Sequence, residues 1–164
     1  MPECLKLFLF LHVLAAIIAF GPTFTLPYLA VRARREPQHG NFMARASVAV
    51  SRGIIIPVAL TMAVTGVLII WSAGIDPLAP IYRWLLLAIA LYVLALGFAV
   101  LVQVPTGRRI VELTSAPPPP GATGGPPPEL LALGQRARLG SYLLMALVTA
   151  IAFLMVTKPQ FPGI

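Results

Sequence analysis

The sequence predicts an all-α fold, an antiparallel four-helix transmembrane bundle with both termini on the outer side. Hydrophobic residues make up 59% of the 164 residues and charged residues only 10%, whereas a soluble domain has roughly 25% charged residues. Four apolar stretches each approach the roughly 20 residues that an α-helix needs to cross a bilayer. Lipid is therefore the expected solvent, and we expect one integral membrane domain over residues 1–164.

The four predicted spans are residues 5–31, 46–71, 82–104 and 139–157. Helices suit these stretches because they satisfy their own backbone hydrogen bonds, which lipid cannot do. A membrane β-barrel would need alternating apolar and polar residues, and the spans lack that alternation. The first run is longer than the 7–15 or so apolar residues of a signal peptide, so we expect it to be retained.

Positive charge is concentrated on one side of the predicted bundle. Nine arginines lie in or beside the first and third connections, and only Lys6, Arg83 and Lys158 lie on the other side. The positive-inside rule places both Arg-rich connections in the cytoplasm of a bacterial inner membrane. The net charge of +7 is thus an orientation signal, and we expect no nucleic acid partner. Residues 115–129, rich in proline and glycine, are expected to be a cytoplasmic spacer.

His12 is the residue on which a functional prediction depends, because polar groups at membrane depth are costly and tend to be functional. It lies about 10 Å below the outer end of the first span, on a face that also carries Ala15, Ala16 and Ala19. One interpretation is axial ligation of a haem b iron, for which histidine is a common ligand. The other is a hydrogen bond to a neighbouring helix, with the alanines allowing close approach.

The second iron ligand stays open, because no other span contains a histidine. Met62 and Met155 are alternatives, although methionine is more often a packing residue. The outer cations Lys6, Arg83 and Lys158 are predicted partners of haem propionates, or residues that extend to lipid headgroups.

Small and hydroxyl residues at helical spacing predict which faces point into the bundle. On the second span the predicted inward face carries Gly53, Pro57, Thr61 and Thr65. On the third it carries Ala88, Tyr92, Ala95, Ala99 and Gln103, and on the fourth Ser141, Met145, Thr149 and Ala152. The Tyr92 hydroxyl needs a hydrogen-bond partner. Pro57 is expected to disturb its helix.

Hydrolase and nucleotide-binding motifs are absent from the sequence. No span contains Asp or Glu, which argues against an ion-coupled transporter.

Three short motifs resemble a group of small bacterial four-helix membrane proteins. They are Leu11-His12-Val13 with Gly21 and Leu26-Pro27, then Arg52 with Ile56-Pro57, Leu60-Thr61 and Gly66, and finally Val156-Thr157-Lys158-Pro159. The chain is most similar to an uncharacterised family of predicted integral membrane proteins. It more distantly resembles the haem-containing membrane protoporphyrinogen oxidase and copper resistance protein D families. The resemblance to the oxidase implies a haem-binding role for His12.

The chain also departs from the oxidase. Its third span lacks the lysine that the oxidase carries, and its fourth span opens with Arg138-Leu139-Gly140-Ser141 instead of an Asn-Glu pair.

Three functions therefore follow as expectations. The first is a haem-b-binding membrane protein with a redox or porphyrin-related role, with His12 as the metal ligand. The second is a non-catalytic accessory subunit of a larger membrane complex, such as an electron-transport complex. The third and weakest is copper handling at His12 and Met62. We expect membrane lipids as partners, together with a homodimer or that larger complex, and the sequence leaves enzymatic activity open.

Overall fold

The computed structural model describes residues 3–33, 35–115 and 125–159. Over these residues the chain is helical and contains no strand. Its principal helices are α1 (Glu3–Ala33), α2 (Gly40–Val50), α3 (Ile56–Ser72), α4 (Arg83–Phe98), α5 (Val104–Ser115) and α6 (Pro128–Thr157). Four helical stretches are long and apolar enough to cross a membrane. The predicted all-α, four-span architecture is thereby confirmed.

Three of the four stretches extend well past the predicted spans, α6 by the eleven residues before position 139 and the other two as longer continuous runs. α2 and α3 form one run over Gly40–Ser72, and α4 and α5 form one over Pro80–Ser115. At 1.5 Å per residue these runs measure about 50 Å, against roughly 30 Å for the hydrocarbon core of a bilayer. The sequence pattern predicted a loop at the beginning of α2. It remains helical because α2 packs against α5 beyond the apolar part of the bundle.

Each long run contains one widened π turn just before a proline. The first π turn is Ser51–Ile55, before Pro57, and the second is Ala99–Gln103, before Pro105. Proline has no N–H to donate, and its ring clashes with the preceding turn of a regular helix. In both runs the residue before the proline donates its N–H five residues back instead, from Ile56 to Ser51 and from Val104 to Ala99. The wider turn accommodates the ring without ending the helix.

Packing among the helices has three main seams, one of which is the contact between α2 and α5. α1 packs chiefly on α3, and α4 packs chiefly on α6, while α1 also contacts α6. The buried positions are mostly small or aliphatic, and Ala88 has no exposed surface at all. Most large apolar side chains lie on the outside, as expected for a bundle whose solvent is lipid.

The predicted inward faces are partly right. On α4 the prediction holds: Ala88 and Ala95 are buried, and the Tyr92 hydroxyl donates to the carbonyl of Ala59 on α3. On α3 it was wrong except for Thr65. Pro57 and Thr61 are exposed, and the buried face carries Ala59, Met62 and Thr65 instead. The Thr61 hydroxyl donates to the Pro57 carbonyl of its own helix (3.1 Å), so it needs no neighbouring helix.

On α6 the prediction was half right. Ser141 contacts Gln103 and Met145 is partly buried, whereas Thr149 and Ala152 are exposed and Leu147, Val148 and Ile151 are buried instead. The Thr149 hydroxyl likewise donates to its own helix, at the carbonyl of Met145 (2.8 Å).

Candidate functional site

His12 lies in the seam between α1 and α3. Its Nδ1 is 2.9 Å from the backbone carbonyl oxygen of Met62 and 3.1 Å from the hydroxyl of Thr65. A carbonyl oxygen only accepts, so Nδ1 must carry the proton and donate it. The Thr65 hydroxyl donates its own hydrogen within α3, to Thr61 or Met62, and can therefore accept from Nδ1 as well. These contacts fix the neutral tautomer of His12.

Gly66 makes this approach possible. A Cβ atom added at Gly66 would lie 3.2 Å from Cε1 of His12 and 3.5 Å from its Nδ1. A side chain at position 66 would therefore press on the imidazole ring. Because glycine has no side chain, the Met62 carbonyl is accessible, and a side chain from α1 can reach the backbone of α3.

The second ring nitrogen, Nε2, carries the lone pair of the imidazole. Among the described residues it has no hydrogen-bond partner. Nε2 is also not fully buried. Among the described residues, Gln103 Oε1 is the only fully buried side-chain polar atom that lacks a hydrogen-bond partner. Nε2 therefore keeps some accessible surface, roughly 14 Å along α1 from its start at Glu3.

The alanine face of α1 does not form an open groove. Ala15 and Ala19 are only 5% and 2% exposed, because α3 packs against this side of α1. A groove of about 740 Å³ lies elsewhere, between α1, α4 and α6, and His12 is not among its lining residues. A planar ligand at His12 must therefore approach Nε2 from the surface of the α1–α3 seam.

The three cations that were predicted to be outer lie at the end of the bundle where α1 and α4 begin and α6 ends. Lys6 pairs with Glu3 of the same helix (2.8 Å). Lys158, in a left-handed conformation just after α6, places its ammonium 5.8 Å from the centre of the Trp84 ring. Arg83 is the first residue of α4. Within the described residues, none of the three forms a hydrogen bond to His12, and their predicted propionate contacts stay predictions.

The other predicted ligands are also placed. Met62 is 4% exposed and reaches His12 through its backbone carbonyl, whereas Met155 is partly buried on α6. His39 lies in the 3-10 turn just before α2 and pairs with Glu36 at 3.6 Å. In the described ranges no three His, Cys, Asp or Glu side chains are grouped to hold a metal ion. A metal at His12 would thus have at most two side-chain ligands from this set within the described residues.

A second polar contact between helices escaped the sequence reasoning. Gln103 Nε2 donates to the Ala137 carbonyl and to the Ser141 hydroxyl of α6, both at 2.9 Å. Gly140 lies against the same amide, since an added Cβ there would collide with Gln103 Oε1 and lie 3.1 Å from the Phe98 ring. Thr65-Gly66 on α3 and Gly140-Ser141 on α6 share a signal that could have revealed both contacts, namely a hydroxyl residue beside a glycine within an apolar span.

Four apolar membrane-length helices and a sparse core define the protein as an integral membrane protein of the four-helix class. Residues 6–159 match the family model described as predicted integral membrane protein (DUF2269). The chain belongs to that family, which confirms the predicted membership of an uncharacterised membrane family. No curated protein and no solved structure matches the chain. The resemblance to the oxidase and copper resistance families stays a prediction.

Proposed function

We propose that this membrane protein binds haem b through Nε2 of His12. The observation that carries the proposal is the hydrogen bond from Nδ1 to the Met62 carbonyl. Metal-ligating histidines almost always donate their other ring N–H to a carbonyl or carboxylate, which fixes the tautomer and makes the ligating nitrogen more basic. His12 has this arrangement.

The cost of leaving Nε2 without a partner supports the same proposal. An acceptor nitrogen facing lipid loses the hydrogen bond that it would have in water, at a cost of roughly 1–3 kcal/mol. A metal ion or a donor group at Nε2 would offset that cost. A bound haem iron would supply one-electron redox chemistry, and the chain's own contribution would be to hold the imidazole neutral and correctly oriented.

The closed alanine face limits how a haem would fit. The macrocycle would lie along the lipid-facing edge of the α1–α3 seam, or between two copies of the chain. Lys6 and Arg83, at the outer end, are the cations that we propose for its propionates, with Lys158 next to Trp84.

The test is a visible spectrum of the detergent-purified protein, first air-oxidised and then reduced with dithionite. We expect a Soret band that shifts on reduction and disappears in His12→Ala. His39→Ala is the matched control, because it removes the only other histidine and should leave the spectrum unchanged. A featureless spectrum in well-folded protein produced with ample haem would overturn the proposal.

The alternative is an accessory subunit of a larger membrane complex, and one observation favours it. Phe42 and Leu131 are 62% and 60% exposed, although they lie about 45 Å and 39 Å along their helices from the outer ends at Ser72 and Thr157. Both distances exceed the roughly 30 Å of the hydrocarbon core. Lipid tails do not cover these two side chains, whereas a partner subunit could bury them.

The alternative is tested by the size of the tagged protein after extraction in mild detergent. A complex-forming subunit should run at high mass, and Phe42→Ser combined with Leu131→Ser should return it to the mass of the free chain. Val64→Ser, at a lipid-facing position that is 60% exposed, is the control and should leave the complex intact. Copper handling has no comparable support, because Met62 reaches His12 through its backbone.

A further inference from the structure

A groove of about 570 Å³ runs between α6 and the segment where α4 ends, and His12 is not among its lining residues. Its α6 wall is formed by Ala132, Gln135, Arg136, Leu139, Gly140 and Leu143, and its opposite wall by Phe98 and Val102. The α6 residues recur at intervals of three and four, so they form one continuous helical stripe.

The polarity of the groove changes along its length. Arg136 lies 21 residues from the outer end of α6, or about 32 Å, which is close to the thickness of the hydrocarbon core. Leu143 lies about 21 Å from the same end and therefore within the core. The end lined by Gln135 and Arg136 is thus at headgroup level, and the end lined by Leu143 and Phe98 is at the level of acyl chains.

Arg136 has no ion pair with any described residue. The three glutamates at this end of the protein are engaged elsewhere: Glu36 lies beside His39, and both Glu112 and Glu129 contact Arg109. Nine arginines share this end with these three carboxylates. No described carboxylate neutralises Arg136, so its charge is available to an anion from outside the described chain.

The floor of the groove is closely packed. Gly140 lies against Phe98 and the Gln103 amide, with no room for a Cβ atom, and Gln103 is held by two hydrogen bonds to α6. This contact holds the two walls together and keeps the groove shallow and open to the bilayer.

We propose that this groove binds one anionic phospholipid, with the phosphate at Arg136 and Gln135 and an acyl chain along Leu139, Leu143 and Phe98. Basic pockets between transmembrane helices bind anionic headgroups by the same chemistry. The proposal is independent of haem binding at His12, because the two sites share no residue.

The test is native mass spectrometry of the full-length protein with phosphatidylglycerol or phosphatidylcholine of identical acyl chains. We expect one phosphatidylglycerol to be retained in preference to phosphatidylcholine. Arg136→Gln should lower that retention roughly five-fold, the affinity factor for one arginine near a membrane surface. Val102→Trp should lower it by blocking the acyl-chain part while leaving the charge in place.

Arg138→Gln is the matched control, since Arg138 is exposed on the same helix but does not line the groove. It should retain phosphatidylglycerol as the wild type does. Equal retention of the two lipids would overturn the proposal, as would an equal loss in Arg136→Gln and Arg138→Gln, which would indicate diffuse attraction to the Arg-rich end. Size-exclusion elution identifies any variant that fails to fold. If Arg136→Gln fails to fold, Arg136→Lys, which keeps the charge, is compared with the wild type in its place.

Discussion

The α1–α3 seam and the contact between Gln103 and α6 are built in the same way. They differ in the burial of the second polar atom of the side chain that makes the contact. In each, a polar side chain donates to a backbone carbonyl and a hydroxyl of the facing helix, beside a glycine. The second polar atom of Gln103, Oε1, is fully buried without a partner, whereas Nε2 of His12 is not fully buried. The Gln103 contact is therefore closed to ligands, and the His12 contact leaves one ligating nitrogen available.

The largest effect is expected from filling the Gln103 contact. Gly140→Val places branched carbons where even a Cβ atom collides with Gln103 Oε1 and presses on Phe98. Overpacking of this kind costs about 3 kcal/mol of unfolding free energy. Unfolding in mixed micelles, followed by helical circular dichroism, measures the loss. The control is Gly134→Ala, where an added Cβ meets nothing within 4 Å, and equal losses in the two variants would contradict the explanation.

A smaller effect is expected when His12 is replaced by leucine. The variant loses the Nδ1 hydrogen bonds to Met62 and Thr65 but keeps apolar volume in the seam. Hydrogen bonds between membrane helices contribute about 0.6 kcal/mol on average and up to about 1.7 kcal/mol, so we expect a loss of about 1 kcal/mol in the same unfolding measurement. An unchanged stability would show that these hydrogen bonds do not stabilise the seam.

Gln103→Leu should cost less than His12→Leu, although each removes two hydrogen bonds. The substitution also removes Oε1, which is buried without a partner, and eliminating such a group offsets part of the loss. We expect a change of about 0.5 kcal/mol or less. A cost above that of His12→Leu would mean that Oε1 has a partner, and the comparison between the two contacts would fail.

A stability effect as small as that of Gln103→Leu is expected from Thr65→Val, which removes one partner of Nδ1 and leaves the Met62 carbonyl in place. We expect about 0.5 kcal/mol. If His12 ligates haem iron, the same variant should shift the reduction potential while keeping the Soret band, because the partner of Nδ1 tunes the ligating nitrogen. Redox titration beside Thr61→Val, whose hydroxyl bonds within α3, separates this effect from a general one.

The sequence predicted the four helices because their cause is local: long apolar runs leave the backbone no other solution in lipid. The π turns depend on the prolines at positions 57 and 105, and the sequence indicated a disturbance at the first of them. Helix faces were harder to predict. Ala88, Tyr92 and Ala95 were correctly placed on the inward face of their helix by their helical spacing. Thr61 and Thr149 were wrongly placed on inward faces, because a threonine hydroxyl can bond within its own helix.

The sequence by itself determined that this protein is a four-helix membrane bundle, that one histidine lies at membrane depth, and that arginine is concentrated at one end. Hydropathy and charge are properties of individual residues, so they can be assigned without knowing which helices pack together. Only the tertiary structure decided which nitrogen of His12 is engaged, that α3 closes the alanine face, and that Gln103 reaches Gly140. Those contacts depend on which helices pack together and at what rotation about their axes. Lipid solvates every apolar face alike, so a few glycines and polar side chains determine that packing.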